Sequence, residues 1–351
     1  MATVEPLLLA GEKILPGEQA TIDVPVAQLH THAELTMPVQ VIRGKREGPR
    51  LFISAAIHGD ELNGIEIIRR LQQNRALSRL RGTLITIPIV NVHGVINHSR
   101  YLPDRRDLNR SFPGSDRGSL ANRLANLFMN EIVANATHGI DLHTGAIHRS
   151  NLPQLRINTD DPEAERLATA FGVPVVVHSD LRDGSLRQAA SEMGVPMLLY
   201  EAGEALRFGE LEIRAGVRGI LNVMRELEML PKSRARNREP FKPLVASSSS
   251  WVRAPESGVF RAFTQLGKQV KKGEMLGMVG SPFGENEVSV VAHTSGIIIG
   301  KTSLPLINEG DALFHIARFD LLKGVAASVE VFTEVLNEDN SDTPYDEPPI
   351  I

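Results

Sequence analysis

The chain has 351 residues, of which 42% are hydrophobic and 23% charged, and its formal net charge is -4 at pH 7. This length and composition predict a folded protein with a substantial core, divided into two or three units. The charge and the absence of a long basic run exclude nonspecific nucleic-acid binding as the main activity, because such binding needs many phosphate-neutralising side chains.

Two absences narrow the class further. The chain has no cysteine, so a bound metal must use nitrogen and oxygen ligands. The short apolar patch at residues 7–10 has no basic region before it, and no run of about 18 apolar residues occurs anywhere. We therefore expect a cytoplasmic protein with no membrane partner.

From about Arg50, short apolar runs alternate with helical patterns. The runs are continuous in hydrophobicity, as expected for strands covered by helices on both faces. Strands are predicted at 51–57, 83–90, 139–142, 173–177 and 195–199, and helices at 119–134, 162–171 and 185–192. The pattern predicts an α/β domain over residues 49–230 with a largely parallel sheet, preceded by a β-rich segment at 1–48.

The composition changes after Leu230. Residues 231–250 are polar, proline-bearing and serine-rich, which predicts a linker. Residues 251–336 are β-rich and weakly repeated, which predicts a β-sandwich resembling the lipoyl and biotinyl carrier fold. No lysine lies between Lys272 and Lys301, where a carrier would present its modified side chain, so a carrier role is excluded. The acidic residues 337–351 are predicted to be disordered.

Three short segments with metal-binding or acidic side chains follow predicted strands. They contain His58 and Glu61, then His143, and then Glu201. Ligands of open α/β sheets gather outside the carboxyl ends of the strands, so these side chains are expected to meet. Two histidines and one carboxylate can bind one divalent metal, with zinc favoured, and leave a position for water.

Each of these segments also has a simpler interpretation. The H-x-x-E pattern of the first is weak and also arises in surface turns. A histidine at a strand end is often simply packed, although Asp141, two residues before His143 on the same strand face, can orient a metal ligand. Glu201 follows a buried-looking strand, where a carboxylate is costly unless paired or used, and it can serve as a general base. It could also reach solvent, and Glu204 competes with it locally.

A fourth segment, residues 99–114, carries positive charge in a loop bracketed by proline and glycine. Such a loop can clamp a substrate carboxylate and stabilise a developing oxyanion. The alternative is a solvated loop whose arginines pair with neighbouring aspartates. The candidate side chains are Arg100, Arg105, Arg106, Asn109 and Arg110.

Together the motifs resemble one family. In chain order they are His58-Gly-Asp-Glu61, Asp107-Leu-Asn109-Arg110-x-Phe-Pro-Gly, Asp141-Leu-His143-Thr-Gly and Glu201-Ala-Gly-Glu. They resemble the succinylglutamate desuccinylase and aspartoacylase family, relatives of the zinc carboxypeptidases, over about residues 50 to 230. The C-terminal β segment also resembles that family's second domain. The resemblance implies a mixed eight-stranded sheet flanked by helices, with the second domain narrowing the entrance to the site.

The resemblance also implies roles for individual residues. His58, Glu61 and His143 would bind one Zn²⁺ per chain, and Glu201 would be the general base. The substrate carboxylate would be bound by Asn109 and Arg110, with Arg106 as a further substrate-binding residue. The scissile carbonyl would be polarised by Arg100, with Arg105 and Arg106 as competing candidates.

These roles predict a zinc-dependent amidohydrolase that removes the acyl group from an N-acyl amino acid or a related carboxylate-bearing substrate. One alternative is a carboxypeptidase that trims C-terminal residues, acidic ones among them, from a peptide or protein. A more distant alternative is a noncatalytic, metal-dependent binding protein. The acyl group, the amine portion and the formation of a homo-oligomer are left open by the sequence.

Overall fold

The protein was analysed as a computed structural model that describes residues 5–232, 243–320 and 325–338. The first ten strands are β1 (Leu7–Leu9), β2 (Glu12–Ile14), β3 (Gln19–Gln28), β4 (Glu34–Arg43), β5 (Arg50–Ala55), β6 (Thr83–Ile87), β7 (His138–Gly145), β8 (Arg149–Ile157), β9 (Val175–His178) and β10 (Met197–Glu204). The others are β11 (Leu244–Ala246), β12 (Ser248–Arg253), β13 (Gly258–Ala262), β14 (Gln269–Val270), β15 (Met275–Gly280), β16 (Val288–Val291), β17 (Gly296–Thr302), β18 (Leu306–Ile307) and β19 (Ala312–Arg318).

The α-helices are α1 (Asn63–Gln72), α2 (Val92–Ile96), α3 (Leu120–Glu131), α4 (Pro162–Phe171), α5 (Leu186–Glu192), α6 (Glu210–Glu226) and α7 (Val325–Glu338). Short 3-10 helices lie at Arg75–Arg79, Leu108–Arg110 and Val133–Asn135. None of the helices within the described ranges is long and apolar enough to cross a bilayer.

The central sheet is mixed, as predicted. Its strands follow the order β3, β4, β6, β5, β7, β10, β8 and β9. The middle strands β6, β5, β7 and β10 are parallel, whereas β3, β4 and β8 introduce antiparallel pairs. Because β5, β7 and β10 are adjacent and parallel, their carboxyl ends lie at one edge of the sheet. This brings the segments that follow them together.

Helices cover both faces of this sheet, which explains the continuous apolar runs. In β5, Leu51 and Ile53 belong to one hydrophobic core, with residues of α1, α4 and α6. Phe52, between them, belongs to the opposite core, with residues of α3 and α5. Since successive side chains of a strand point to opposite faces, both faces of β5 must be apolar. The predicted α/β class is confirmed.

The C-terminal β region, defined as β12 to β19, is joined to the central sheet by hydrogen bonding between β17 and β8. A separate four-stranded sheet contains β16, β15, β13 and β18. Apolar residues of both sheets form one core, with Val252 and Phe314 from the first and Phe260 and Val279 from the second. This is the sandwich predicted from the repeat.

Part of the predicted linker is ordered instead. Leu244–Ala246 pairs in parallel with β9, and Ser248–Arg253 pairs with β19, so the C-terminal β region begins before residue 251. The serine-rich chain is taken into the sheets because the edges of β9 and β19 offer unpaired backbone groups. Residues 233–242 of the predicted linker and residues 339–351 of the predicted tail lie outside the described residues.

Candidate metal centre and active site

His58 and Glu61 lie on a tight turn beyond the end of β5. Ala56, buried within the turn, has φ of 54°, a left-handed conformation that costs about 1–3 kcal/mol in a residue other than glycine. The conformation is held by backbone bonds from Val90 to Ala55 and from Asn91 to Ala56, of 3.1 and 2.9 Å. The Glu61 amide then donates to the His58 carbonyl at 3.1 Å, which brings the two side chains to one side.

Glu61 lies two residues before the first residue of helix α1, and this helix packs closely on the sheet. A Cβ atom at Gly64 would lie 2.6 Å from the Cβ of Ala55 and 2.9 Å from that of Leu142, so glycine is required there. The Asn63 side chain donates to the Ala202 carbonyl at 3.0 Å and ties the helix start to β10. Glu61 is thereby placed beside β7.

The structure brings the three predicted metal ligands together. Nδ1 of His58 lies 2.7 Å from Oε1 of Glu61, and Nδ1 of His143 lies 2.8 Å from Oε2. The side chains are buried, and each offers a ligand atom within 4.8 Å of the other two. Two imidazole nitrogens and one carboxylate can hold a divalent metal ion with a coordination position to spare.

Carboxylates behind the two histidines fix their orientation. Nε2 of His58 lies 3.0 Å from Oδ1 of Asp107, and Nε2 of His143 lies 2.6 Å from Oδ2 of Asp141. Ser54 in turn donates to Asp141 at 2.8 Å. Such outer partners set the ring orientation of metal-binding histidines and leave the Nδ1 atoms to face Glu61. The sequence predicted this role for Asp141 but missed it for Asp107, although Asp107 opens the fourth motif.

The electrostatics of the group favour positive charge beside Glu61. Burial acts to raise the pKa of Glu61, but the charges of His58 and His143 and their hydrogen bonds hold it well below its usual value. Burial acts to lower the pKa of His143, but Asp141 and Glu61 raise it well above the usual value. Glu61 therefore favours its charged form, which is the form that binds a metal ion.

Glu201 lies beside this group rather than within it. It is opposite His143 in the parallel pairing of β10 with β7, so both side chains lie on one face of the sheet. Its Oε2 accepts a hydrogen bond from Nδ2 of Asn151 at 3.0 Å and lies 3.0 Å from Nε of Arg156. The carboxylate is therefore paired and stays 19% exposed, within reach of water.

Glu204, the predicted alternative to Glu201, contacts residues outside the ligand group. Oε2 of Glu204 accepts a hydrogen bond from the hydroxyl of Ser303 at 2.8 Å, and Oε1 lies 3.4 Å from Arg207. Ser303 belongs to the loop between β17 and β18, so this carboxylate connects the end of β10 to the C-terminal β region. Glu204 thus has a structural contact, whereas Glu201 faces the ligand group.

The arginine segment divides into residues near the ligand group and residues away from it. Arg100 lies against the group, 3.2 Å from Oε1 of Glu61 and 3.1 Å from Oδ2 of Asp107. Arg106 is 61% exposed and lies 3.7 Å from Asp104. Within the described part of the chain Arg106 makes no contact with the ligand group, and Arg105 is likewise exposed. Of the three carbonyl-polarising candidates, the geometry favours Arg100.

Asn109 and Arg110 follow Asp107 on a 3-10 helix. Asn109 is buried, and its Oδ1 accepts a hydrogen bond from the Leu186 amide at 3.0 Å, which anchors the segment on the start of α5. Arg110 is exposed, and its guanidinium donates to the backbone carbonyl of Asn109. Arg100 and Arg110 thus project from one short segment, the first toward the ligands and the second toward solvent.

The contacts of Asn151 and Arg156 with Glu201 were not predicted. Both residues lie on β8, a strand that the sequence analysis missed because its apolar pattern is broken by polar residues and Pro153. The polar residues face the site rather than a core. The polar side chains of Gln154 and Arg156, two residues apart, were the feature of the sequence that could have indicated this strand.

A buried His-Glu-His group at the carboxyl edge of an α/β sheet, with a second carboxylate beside it, defines a metallohydrolase type of site. The model of the succinylglutamate desuccinylase/aspartoacylase catalytic domain matches residues 47–227. The chain belongs to this family and is a hydrolytic enzyme.

Curated relatives carry two related activities. An N-alpha-acetyl-L-2,4-diaminobutyric acid deacetylase of Halomonas elongata is 26% identical over 292 residues, which cover 80% of this chain and 85% of the relative. A succinylglutamate desuccinylase of Pseudomonas aeruginosa is 28% identical over 221 residues, which cover 58% of this chain and 65% of the relative.

Solved structures share the fold. The product-bound ectoine utilization protein EutE (DoeB) of Ruegeria pomeroyi has a TM-score of 0.78 at 22% identity, covering 90% of this chain and 98% of that one. A succinylglutamate desuccinylase/aspartoacylase of Rhodobacter sphaeroides has a TM-score of 0.76 at 23% identity, covering 86% and 96%.

Proposed function

We propose that the protein is a zinc-dependent deacylase that hydrolyses the amide bond of an N-acyl amino acid. The observation that carries the proposal is the placement of Glu201, opposite His143 but outside the group formed by His58, Glu61 and His143. Three ligands hold a catalytic metal with one position open, and a separate carboxylate is then free to move protons. The deacetylase and desuccinylase activities of the curated relatives agree with this chemistry.

The ligand group fits zinc, because it offers two nitrogens and one oxygen donor on buried side chains. When bound, zinc lowers the pKa of a coordinated water toward about 7 and polarises a carbonyl oxygen. Glu201 accepts the proton of the attacking water and returns it to the nitrogen of the leaving amine, so that the C–N bond breaks with no charge left on the amine nitrogen.

Two arginines have separate tasks in this proposal. Arg100, which lies against the ligand group, stabilises the negative charge that develops on the carbonyl oxygen. Arg110 and Asn109 bind the carboxylate of the amino acid, for which the exposed guanidinium of Arg110 provides paired donors. The pairing of Arg106 with Asp104 gives no support to a role for Arg106 in substrate binding.

A substrate screen coupled to metal analysis tests the proposed function. The zinc-loaded protein is expected to release amino acid from N-acetyl or N-succinyl amino acids, and to leave peptides ending in glutamate intact. Ninhydrin or coupled detection of the freed amine gives the rate, and mass spectrometry of metals gives the zinc content. Cleavage of the peptides alone would identify a carboxypeptidase instead, and hydrolysis of neither class would refute the proposal.

Zinc affinity is expected to fall as the pH is lowered. Burial acts to lower the pKa of both His58 and His143, but the neighbouring carboxylates raise it above the usual value, so the metal-free rings keep their protons to higher pH than free imidazoles do. Zinc must displace these protons, and the displacement becomes harder at lower pH. Competition with a chromogenic chelator between about pH 6 and 8 measures the affinity, since this range spans ordinary histidine titration.

Proton release gives an independent check on the same prediction. Titration calorimetry in buffers with different ionisation enthalpies should show protons leaving the protein as zinc binds. An affinity that is constant across the pH range, together with no release of protons, would show that zinc binds elsewhere.

A further inference from the structure

The two oxygens of Glu201 have different surroundings. Asn151 donates to Oε2 at 3.0 Å, and Nε of Arg156 lies 3.0 Å from the same oxygen. Within the described residues, no hydrogen bond reaches Oε1. One hydrogen bond and one ion pair on the same oxygen restrict rotation of the carboxylate and leave the other oxygen available to accept a proton.

Asn151 and Arg156 flank Glu201 along the neighbouring strand β8. In the antiparallel pairing of β10 with β8, Arg156 lies opposite Leu199 and Asn151 opposite Gly203, with Glu201 between them. Arg156 shares the face of Glu201 because Leu199 and Glu201 are two residues apart on one strand. The pairing shifts register between Glu201 and Gly203, which brings Asn151 to the same face. A strand-borne pair of this kind positions a side chain more precisely than a loop does.

The C-terminal β region supports one of these donors directly. Gly300 of β17 lies opposite Asn151 on the other side of β8. A Cβ atom at Gly300 would lie 2.9 Å from Oδ1 of Asn151 and 3.1 Å from Cβ of His315. Asn151 is only 6% exposed, so its amide could not move aside into solvent. The glycine therefore permits the close approach that holds Asn151 against Glu201.

We propose that Arg156 and Asn151 are positioning residues, which hold Oε2 of Glu201 so that Oε1 faces the attacking water, and that β17 maintains them through Gly300. The inference rests on the proposed function, because it takes Glu201 as the general base. A displacement of about 1 Å at such a group can cost about 10²-fold in rate. The C-terminal β region then contributes to turnover.

Arg156→Met and Arg156→Lys test the first part, with the zinc-loaded full chain and the best N-acyl amino acid from the screen. Arg156→Met is expected to lower kcat by about 10–100-fold with KM nearly unchanged, since a misplaced base slows the chemical step. Arg156→Lys should restore part of kcat, and Arg261→Met, which removes a surface arginine of β13, should change nothing.

A double-mutant cycle tests the second part. Gly300→Ala and Asn151→Ala are each expected to lower kcat, and the double variant should be no slower than Asn151→Ala, because Gly300 acts through Asn151. Thermal unfolding and zinc content separate this effect from misfolding. Gly280→Ala is the matched control, since its added Cβ would meet the exposed Glu287 side chain at 3.2 Å.

The outcomes separate this inference from the proposed function. A raised KM with unchanged kcat in Arg156→Met would show that Arg156 binds substrate and would overturn the positioning role. Full activity in Arg156→Met and Asn151→Ala would overturn it as well, while an active wild-type enzyme would leave the proposed function intact. A wild-type chain that hydrolyses no N-acyl amino acid and no peptide would overturn both.

Discussion

Glu201→Gln is expected to lower kcat by about 10²–10⁴-fold, the usual contribution of a general base. The amide keeps the size of the side chain and can still contact Asn151, but it cannot accept the proton of the attacking water. Zinc should stay bound at one ion per chain, because Glu201 lies outside the group of His58, Glu61 and His143. The rate of amine release and the metal content, measured on the same preparation, check both parts.

Glu204→Gln is the matched control for this prediction. It makes the same chemical change three residues along β10, at a carboxylate whose partners are Ser303 and Arg207. Its kcat is expected to remain close to that of the wild type, at some cost in thermal stability. Normal turnover in Glu201→Gln, or a loss of zinc from it, would contradict the role assigned to Glu201.

His58→Ala is expected to remove both the metal and the activity. The substitution deletes one of three ligands and leaves Glu61 buried with one hydrogen-bond partner fewer. Loss of an outer partner of a ligand costs about 10–100-fold in metal affinity, and loss of the ligand itself should cost more. After dialysis against a weak chelator, the variant should hold little zinc and show no turnover.

His30→Ala separates this effect from a general loss of histidine. His30 is exposed on the turn between β3 and β4 and should keep full zinc content and activity when replaced. Stoichiometric zinc in His58→Ala with unchanged affinity would refute the ligand role of His58. Excess zinc that restores turnover in the variant would show weakened binding and agree with the prediction.

Local hydrophobic patterns in the sequence predicted many of the strands and helices. The apolar run at 51–57 predicted a strand and the pattern at 162–171 predicted a helix, and β5 and α4 confirm them. The order of the motifs predicted that His58, Glu61 and His143 meet, because the carboxyl ends of parallel strands lie at one edge. The spacing of apolar residues and the position at which a strand ends are local properties of a chain. A single sequence is therefore enough to predict them.

Contacts across distant strands were outside the reach of such patterns. Asn151 and Arg156 contact Glu201 only because β8 runs antiparallel to β10. The sequence did not predict β8 as a strand, because polar residues interrupt its apolar pattern. The serine-rich residues 248–250 likewise form a strand because they pair with the edge of β19. Arg100 and Arg106 look alike in sequence, and their separation follows from the direction in which the loop projects each side chain.

The amino-acid sequence therefore determined the class of fold, the ligand group and the family to which the chain belongs. Tertiary structure decided which carboxylate lies beside that group without joining it, what orients this carboxylate and how the C-terminal β region reaches it. The physical reason is that pairing register and side-chain contacts depend on residues far apart in the chain. Gly300 shows this dependence: it is an unremarked glycine in the sequence, and in the fold it lies directly behind Asn151.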